Sequence, residues 1–345
     1  MKICGISDCM IKIINKILDE IRSDMKLFFI IVIFININFI SIPRYVVDMP
    51  GSIINVSDNL TNKKYTSEGS LNMTSVSETK GTLLMLILGK IVPSFDIVDN
   101  SNYIASNEDS TSMNKRARLM LESGISNATY LAYKEAGYNV NITDSKYYIM
   151  YVSDKANTNL SIGDEIIKIN NKDITNKNEL SNILNDYNEG DKVDILVKRN
   201  NKEINTYAYL YKDDDSELKI GIALVLINKY DNNPNITYKY AYNEYGSSGG
   251  LMLTLGIYDA LTESDLTKGK KISGTGTIEL DGTVGEISGV KYKLAGAVKK
   301  KCDVFIVPEN NYEEAKELVE KNNYQIKLIK ASNFKQVLTE LQNLE

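Results

Sequence analysis

The stretch Tyr245-Gly246-Ser247-Ser248-Gly249-Gly250-Leu251-Met252 places two serines among glycines, immediately before an apolar run of helical character. Amides at a helix start lack intrahelical partners, and together with the helix dipole they stabilise negative charge that forms beside a hydroxyl. The stretch therefore predicts a nucleophilic serine at a helix entry. Serine among glycines is also an ordinary helix cap, and a serine hydroxyl needs a base before it becomes a nucleophile.

Histidine, the usual base, is absent from the 345 residues, which excludes a Ser-His-Asp triad. A lysine can serve instead when a dry, apolar pocket lowers its pKa, because it then accepts the serine proton near neutral pH. Composition does not choose among the 40 lysines and arginines.

The composition is that of a globular chain longer than one typical domain. Apolar residues make up 43% and charged residues 25% of the chain, which predicts two or three folded units. A net charge of −5 offers no basic face, so we expect no nucleic-acid partner. Three cysteines without histidine cannot complete a tetrahedral zinc site, and we predict neither a metal nor another cofactor.

An apolar run extends from Leu27 to Ile42 and is followed by Pro43. Its length is at the lower limit for a spanning helix, and we predict a transmembrane signal anchor at residues 27–43 that contacts membrane lipid. The core of a cleaved signal peptide and a buried core helix are the alternatives. Basic residues in the arm of residues 1–26 indicate a cytoplasmic N-terminus, with the bulk of the chain outside a single-pass anchor. They are Lys2, Lys12, Lys16, Arg22 and Lys26.

Residues 44–140 are predicted to form a membrane-proximal region, in which short β-rich runs alternate with polar turns. Within it a helix is expected over Arg116–Ala136, because apolar residues recur there at helical spacing and Gly137 provides a stop. We interpret this helix as a packing or linker element.

Residues 141–213 resemble a PDZ domain. The sequence IGDEIIKINNKDITNKNELSNIL matches the PDZ pattern of a Gly-Asp turn, a strand, a second turn and a helix. The resemblance implies a groove between a helix at Lys177–Tyr187 and a strand at Tyr148–Val152, where an extended peptide could bind by strand addition. Ser145-Lys146-Tyr147-Tyr148 lacks the glycines of a carboxylate-binding loop, which favours an internal peptide segment or scaffolding over capture of a C-terminus.

The last predicted domain covers residues 214–345 and begins at the charged break Asp213-Asp214-Asp215-Ser216. Strands and helices alternate beyond it, which predicts an α/β fold. The expected strands are Leu218–Ile227, Ile236–Tyr242, Lys271–Leu280, Val304–Val307 and Gln325–Ile329. The expected helices are Ser248–Leu261, Lys291–Lys301, Tyr312–Lys321 and Phe334–Leu344.

Three sequence blocks of this domain resemble the proteolytic domain of Lon, a serine protease with a Ser-Lys dyad. Gly246-Ser247-Ser248-Gly249-Gly250 stands in the place of the family's Gly-Pro-Ser-Ala-Gly. Gly274-Thr275-Gly276-Thr277-Ile278 stands in the place of its Thr-Gly-Glu-Ile strand. The sequence VGEISGVKYKLAGAVKKKCDVFIVPENN follows its Gly-Gly-x-x-x-Lys helix and strand. The resemblance covers Lys219–Leu338 and implies a fold of the α/β (α+β) class.

The family register implies Ser248 as the nucleophile and Lys293 as the general base, with Lys291 as an outward-facing neighbour. Thr275 matches a threonine that lies near the dyad lysine, which implies a supporting hydrogen bond. An ordinary strand threonine is the alternative interpretation of that residue.

Residues beside the predicted nucleophile are supporting candidates. The backbone amides near Gly246, Ser247 and Ser248 are expected to donate to the oxyanion, because the turn needs small residues for close substrate approach. Ser247 is also a rival nucleophile, and it occupies the position of the family's proline, while Gly249 occupies that of its alanine.

From Tyr45 onward the chain resembles the membrane-anchored PDZ-Lon proteins of Gram-positive bacteria, and it contains no Walker A sequence. The resemblance implies an ATP-independent serine endopeptidase at the cell membrane, with the catalytic domain outside and extracytoplasmic or membrane proteins as substrates. It also implies a homo-oligomer, since hexameric rings are common in the family. The alternative function is a proteolytically inactive PDZ-type scaffold that binds envelope proteins.

Overall fold

The computed structural model describes residues 4–38, 40–102, 108–174 and 183–344, and its contacts divide the chain into two units. The first unit comprises Met1–Met49 and Glu78–Asn100. The second comprises Pro50–Ser77 and Ser101–Glu345.

Helices and strands follow one another in a mixed α/β order. The helices are α1 (Cys4–Ile37), α2 (Val56–Asn59), α3 (Leu83–Ile91), α4 (Ser110–Glu135), α5 (Gly250–Leu261), α6 (Val290–Lys299), α7 (Tyr312–Asn322) and α8 (Phe334–Gln342). The first strands are β1 (Ser41–Asn55), β2 (Ser70–Thr82), β3 (Asp96–Asp99), β4 (Asn141–Val152), β5 (Asn157–Thr158), β6 (Glu165–Ile169), β7 (Lys172–Asp173), β8 (Lys192–Arg199) and β9 (Lys202–Tyr209). They are followed by β10 (Tyr211–Lys212), β11 (Leu218–Lys219), β12 (Ile222–Asp231), β13 (Lys271–Gly274), β14 (Thr277–Ile278), β15 (Val284–Gly285), β16 (Val304–Pro308) and β17 (Lys327–Ala331).

The first unit contains α1, α3, β3 and the initial part of β1. Strand β3 pairs antiparallel with β1, from Tyr45 opposite Asp99 to Asp48 opposite Asp96. Within the described ranges, no helix combines the length and the apolarity that crossing a membrane requires. The anchor predicted at residues 27–43 is therefore not confirmed, and its last three residues lie in β1 because α1 ends at Ile37.

A largely parallel sheet forms the base of the second unit, with the strand order β17-β16-β13-β2-β1. Strand β13 pairs in parallel with β2 and β16, and β16 pairs in parallel with β17. Every residue of β16 is buried, as expected for an apolar strand covered on both faces. Helix α5 is buried along almost its whole length beside this sheet and shares one core with α4, β2 and α8. The predicted mixed α/β fold class is confirmed.

A second sheet, with the strand order β12-β4-β6-β8-β9-β5, carries the PDZ-like sequence. Its own core includes Ile149, Ile169, Val193 and Leu210. Most of the helix predicted at Lys177–Tyr187 lies outside the described residues; Ile183 and Leu184 are helical and buried in this core.

The strand predicted at Leu218–Ile227 is divided at Gly221, which has a φ of +83°, into β11 and β12. Strand β12 pairs antiparallel with β4, from Ile222 opposite Val152 to Asp231 opposite Asn141. Strand β4 thus lies between two partners, because β6 pairs with its other side at Tyr147 and Tyr148. A peptide could pair with Tyr148–Val152 on the β12 side only by replacing β12. The predicted domain boundary at residue 214 stays a prediction, although the long strand after it belongs to the PDZ-like sheet.

The strand predicted at Ile236–Tyr242 is wrong, because this segment contributes only an isolated bridge between Tyr238 and Leu60. A side chain from α4 takes the place of a partner strand: the Tyr133 hydroxyl donates to the Pro234 carbonyl and accepts from the Ile236 amide. Backbone polar groups are thus satisfied without a ladder.

The strand predicted at Lys271–Leu280 is divided into β13 and β14. Between them the chain turns to bond the segment before α5, because the Gly276 amide donates to the Ser248 carbonyl at 2.7 Å. The other predicted helices and strands of this domain agree with the structure to within about two residues at each end.

The Gly-Asp turn of the PDZ-like sheet contains a buried carboxylate. Asp164 is 1% exposed, and Arg199 donates to its two oxygens from Nε and Nη2, both at 2.7 Å. The Ser161 amide donates to the same carboxylate at 2.9 Å. This fork joins the turn before β6 to the end of β8.

Replacing Arg199 with alanine would leave the Asp164 charge buried without its partner. We expect the free energy of local opening of β6 and β8 to fall by about 3 kcal/mol, because an uncompensated buried charge is strongly destabilising. Hydrogen exchange followed by mass spectrometry on the full chain measures this opening. As a control, Lys192→Ala removes the exposed pair with Asp194 and should change the opening by less than about 1 kcal/mol. Equal changes in both variants would contradict the role given to Arg199.

Candidate active site

The segment before α5 is held in a tight turn. Gly246 has a φ of +82°, a conformation that side chains rarely adopt, and its amide donates to the Ala117 carbonyl of α4 at 2.9 Å. A Cβ on Gly249 would lie 2.5 Å from the Met73 sulfur, so the alanine of the family would fit here only if Met73 moved. Ser248 lies between these two glycines, two residues before α5 begins.

Three hydrogen bonds join this turn to the segment between β13 and β14. Besides the bond from the Gly276 amide to the Ser248 carbonyl, the Leu251 amide donates to the Gly276 carbonyl at 3.0 Å. The Thr275 hydroxyl also donates to the Ser248 carbonyl, at 3.0 Å. The backbone of Ser248 is thereby fixed from two directions.

Lys293 lies on α6 and is 4% exposed. Its Nζ donates to the Thr275 hydroxyl at 3.2 Å. Burial lowers the pKa of Lys293 from its ordinary value of 10.5 to about 8, because desolvation disfavours the ammonium form. Lys291, two positions earlier, is half-buried, and its ammonium lies 5.7 Å from the centre of the Tyr292 ring.

Thr275 connects the other two predicted residues. Its side chain is fully buried, and its single hydroxyl accepts from Lys293 and donates to Ser248. The structure thus brings Ser248, Thr275 and Lys293 together from three different elements. An ordinary strand threonine would not need both of these partners.

The start of α6 is positioned by Asn311, a residue that the sequence did not single out. Its amide oxygen accepts from the Ile287 amide at 2.9 Å, and its amide nitrogen donates to the Ile287 carbonyl at 3.0 Å. This pair of bonds mimics a strand pairing and fixes the loop that leads into α6.

Helix α4, which the sequence predicts to be a packing or linker helix, packs against the segment that carries Ser248. The Arg118 guanidinium lies over the rings of Tyr240 and Tyr245, at 4.9 and 4.8 Å from their centres, and donates to the Tyr242 carbonyl. A Cβ on Gly124 would lie 3.4 Å from the Ser247 Cα. Gly124, a glycine inside the predicted helix, is the feature of the sequence that could have indicated this close approach.

One of the amides expected at the oxyanion is already engaged. The Gly246 amide donates to Ala117 in this structure, and its role at the oxyanion stays a prediction. The amides of Ser247 and Ser248 donate no backbone hydrogen bond to any residue that the structure describes. They stay the candidate donors.

In the described part of the chain, no three Asp, Glu or Cys side chains are placed so that they could hold a metal ion. Cys302 is a buried free thiol, and burial raises its pKa.

Two family models match separate parts of the chain. Residues 239–343 match the Lon protease (S16) C-terminal proteolytic domain, and residues 135–208 match the PDZ domain. Together they confirm the resemblance to a PDZ-containing Lon-like protease.

Known proteins resemble the same two parts. A Lon protease of Desulfatibacillum aliphaticivorans is 31% identical over 93 residues, which are 27% of this chain and 11% of that protein. The chain thus spans about a tenth of the length of this curated relative.

Solved PDZ domains of SdrC-like proteins match part of the chain. The domain from Listeria monocytogenes is 27% identical, with a TM-score of 0.23 over 25% of this chain and 93% of that one. The domain from Listeria innocua is 24% identical, with a TM-score of 0.22 over 23% and 92%.

Replacing Lys293 with methionine should stabilise the protein near neutral pH. The folded protein must bury an ammonium below pH 8, whereas the unfolded chain keeps it in water; one pKa unit corresponds to about 1.4 kcal/mol. We expect the free energy of unfolding at pH 7 to rise by on the order of 3 kcal/mol, measured by urea denaturation.

The pH dependence provides the control for this prediction. In the unmodified protein, stability should rise between pH 8 and 10.5, since the unfolded chain then binds the proton that the folded chain has released. The Lys293→Met protein should lose this rise, whereas Lys291→Met should keep it. An unchanged pH profile in Lys293→Met would contradict the buried ammonium.

Proposed function

We propose that this chain is a serine endopeptidase in which Ser248 is the nucleophile and Lys293 the general base. The observation that carries the proposal is the buried Lys293 amine, whose hydroxyl partner on Thr275 also bonds the Ser248 backbone. A lysine with a pKa of about 8 holds an appreciable neutral fraction at physiological pH and can accept a proton.

The proposed reaction is peptide-bond hydrolysis in two steps. As Ser248 Oγ attacks the substrate carbonyl carbon, its proton passes to the neutral Lys293 Nζ, and the amides of Ser247 and Ser248 receive the negative charge on the carbonyl oxygen. Lys293 then gives the proton to the departing amine, which leaves an acyl-enzyme. A water molecule attacks the ester, with the same lysine as base, and releases the acid and the free serine.

Thr275 has a positioning role in this proposal. Its hydroxyl accepts a hydrogen bond from the Lys293 amine and donates one to the Ser248 carbonyl, so one side chain positions both the amine and the turn. This arrangement links the lysine nitrogen to the backbone of the serine turn without adding a negative charge, which would raise the lysine pKa.

The match of residues 239–343 to the Lon proteolytic domain supports peptidase activity. The relative with the matching 93 residues is itself named a Lon protease. We also propose ATP-independent action, which is what the resemblance to the PDZ-Lon proteins implies.

A second candidate is a proteolytically inactive scaffold. The engaged Gly246 amide favours it, because one expected oxyanion donor is lost to Ala117. The buried lysine argues against it, since an inactive protein gains nothing from the cost of holding an ammonium in its core.

Membrane attachment and extracytoplasmic substrates form a further part of the proposal. Apolar side chains at the end of α1 are open to solvent, among them Phe28 at 61% and Ile30 at 62% exposure. A helical segment of Leu27–Ile37 is about 16 Å long, roughly half of a bilayer core, so these residues support attachment more directly than spanning. We retain a cytoplasmic N-terminus, an external catalytic domain and a hexameric ring as proposals.

Replacing Ser248 or Lys293 with alanine should abolish peptidase activity, because each removes one half of the dyad. We expect the cleavage rate of casein by the purified protein to fall by about 10⁴-fold or more, and fluorophosphonate labelling to disappear. Ser247→Ala is the matched control and should keep most of the activity. Full activity in Ser248→Ala with loss in Ser247→Ala would assign the nucleophile to the neighbour.

Peptidase activity should rise with pH through about 8, since the base must be neutral and its neutral fraction grows as pH increases. The rate of casein cleavage should increase about tenfold per pH unit below pH 8 and level off above it. A rate that is flat between pH 6 and 9 would contradict Lys293 as the base.

Lysine substitutions in the apolar end of α1 should release the protein from membranes. The unmodified chain should sediment with the membrane fraction and resist a high-salt wash, whereas Phe28→Lys/Ile30→Lys should appear in the supernatant. Lys16→Ala, on the same helix, is the control and should remain with the membranes. Recovery of the unmodified chain in the supernatant would contradict attachment.

A further inference from the structure

Helix α3 of the first unit is apolar on all sides and yet open to solvent. Its nine residues include seven Leu, Ile or Met side chains and no acidic residue, and none of the nine is buried. Helix α5 is a useful comparison, because it is similarly apolar but is buried along almost its whole length. A helix that is hydrophobic all round belongs in a core or in a membrane. Helix α3 therefore lacks in water the environment that its sequence needs.

One side of α3 carries most of the exposed apolar surface. Leu84, Ile87 and Ile91 recur at spacings of three and four residues and are 43, 46 and 69% exposed. Leu83, at 42% exposure, extends this surface towards the start of the helix. These four side chains are called the α3 face below.

The other side of α3 is held by the sheet of the first unit. A Cβ on Gly89 would lie 2.7 Å from the Ile97 Cγ1 of β3 and 3.7 Å from the Val47 Cγ1 of β1. The Thr82 hydroxyl also caps the start of the helix by accepting from the Met85 amide at 3.4 Å. The helix is thus fixed on β1 and β3, with the α3 face turned outwards.

We propose that the α3 face lies in the interface of a lipid bilayer, with the helix axis along the membrane surface. Nine helical residues are about 14 Å long, roughly half of a bilayer core, so α3 is too short to span. Short apolar helices of this kind bury one side at the boundary between headgroups and acyl chains. The proposal deepens the membrane attachment proposed for α1, because it names a second lipid contact.

The apolar end of α1 leads to the same sheet. Helix α1 ends at Ile37 and β1 begins at Ser41, and about six residue steps of extended chain, roughly 20 Å, separate Ser41 from Val47 below α3. Ile40 and Ile42, at 62 and 41% exposure, add apolar surface along this connection. Attachment of α1 to a membrane would therefore hold α3 close to the same bilayer.

Basic side chains lie at both ends of α3. Lys80 precedes the helix and Lys90 lies in its last turn, and both are exposed. A lysine can place its ammonium group among lipid headgroups while its aliphatic stem stays in the apolar layer. Two carboxylates of the same unit oppose this only weakly, since Asp99 accepts from Arg44 Nε at 2.9 Å and Asp48 is 4% exposed.

The size of the α3 face favours lipid over a second copy of the chain. A stable protein interface needs about 800 Å² and roughly 20 to 30 residues on each partner, whereas four side chains make up this face. A bilayer requires no complementary surface, because it adapts to any apolar group that enters it. A small apolar face next to an apolar chain segment therefore fits a membrane better than a protein partner.

The chain contains no tryptophan, so one introduced tryptophan reports its own surroundings. Ile87→Trp places it on the α3 face, and Ile142→Trp, at a 57% exposed isoleucine of β4 in the second unit, is the matched control. Each full-length variant is reconstituted into vesicles of phosphatidylcholine and phosphatidylglycerol, with or without bromine on the acyl chains. Tryptophan emission is recorded, and sedimentation with the vesicles is measured in parallel.

We expect the emission of Ile87→Trp to shift to shorter wavelength with vesicles and to lose intensity with brominated lipid. Bromine near the headgroup should quench more than bromine near the chain end, because an interfacial helix is buried only about 5–10 Å deep. Ile142→Trp should show neither effect. Adding Leu84→Asp to Ile87→Trp should weaken the quenching, since a carboxylate resists transfer into the apolar layer. Should circular dichroism show that Ile87→Trp is unfolded, Ile91→Trp provides the same measurement at a more exposed position.

The other outcomes separate this proposal from attachment through α1. A chain that sediments with the vesicles but gives the same emission in Ile87→Trp and Ile142→Trp would overturn the lipid contact of α3 and leave attachment through α1 in place. A chain that stays in the supernatant would overturn both. A shift in Ile87→Trp that appears without vesicles and grows with protein concentration would assign the α3 face to a second copy and overturn the lipid contact.

Discussion

The burial of one ammonium group constrains most of the second unit. Lys293 is held in the interior with a neutral hydroxyl as its partner, and this environment lowers its pKa without the help of a second cation. The pKa of Lys293 stays low only if the surrounding residues exclude water and keep their positions. Apolar residues of α6 pack with those of β16 in one core, and the bonds from Thr275 and Gly276 to Ser248 hold the turn in place.

The turn that carries Ser248 is supported from outside the Lon-like sequence as well as from within it. Met73 of β2 occupies the space that a Cβ at Gly249 would need, and Ala117 of α4 accepts from Gly246. Two departures from the family pattern thus have different physical contexts. Gly249 leaves space for the Met73 sulfur atom, and Ser247 lies close to Gly124 of α4.

Local pattern predicted most of the alternating strands and helices after residue 240. The family resemblance predicted a site of Ser248, Thr275 and Lys293, which stays a prediction although the Thr275 hydroxyl bonds both of the other residues. They failed where a distant side chain replaces a strand: Tyr133 satisfies the backbone near Pro234, which is 101 residues away. They also did not predict the hydrogen bond of the Gly246 amide, because its partner Ala117 lies on a helix whose sequence indicates only packing. The pairing of β12 with β4 was not predicted either, because the choice of a partner strand depends on contacts between segments that are distant in sequence.

Strand β12 belongs to two structures at once. Its backbone completes the ladder of the PDZ-like sheet, while residues from Leu224 to Leu226 line a cavity of about 650 Å³ whose wall also includes Ser247. The PDZ-like region and the Lon-like region share this strand, so they cannot move independently as linked domains usually do. Removing or exchanging either region would leave an unpaired strand edge on one side and an incomplete cavity wall on the other. A substitution in β12 must therefore be compatible with the ladder and with the cavity wall at the same time.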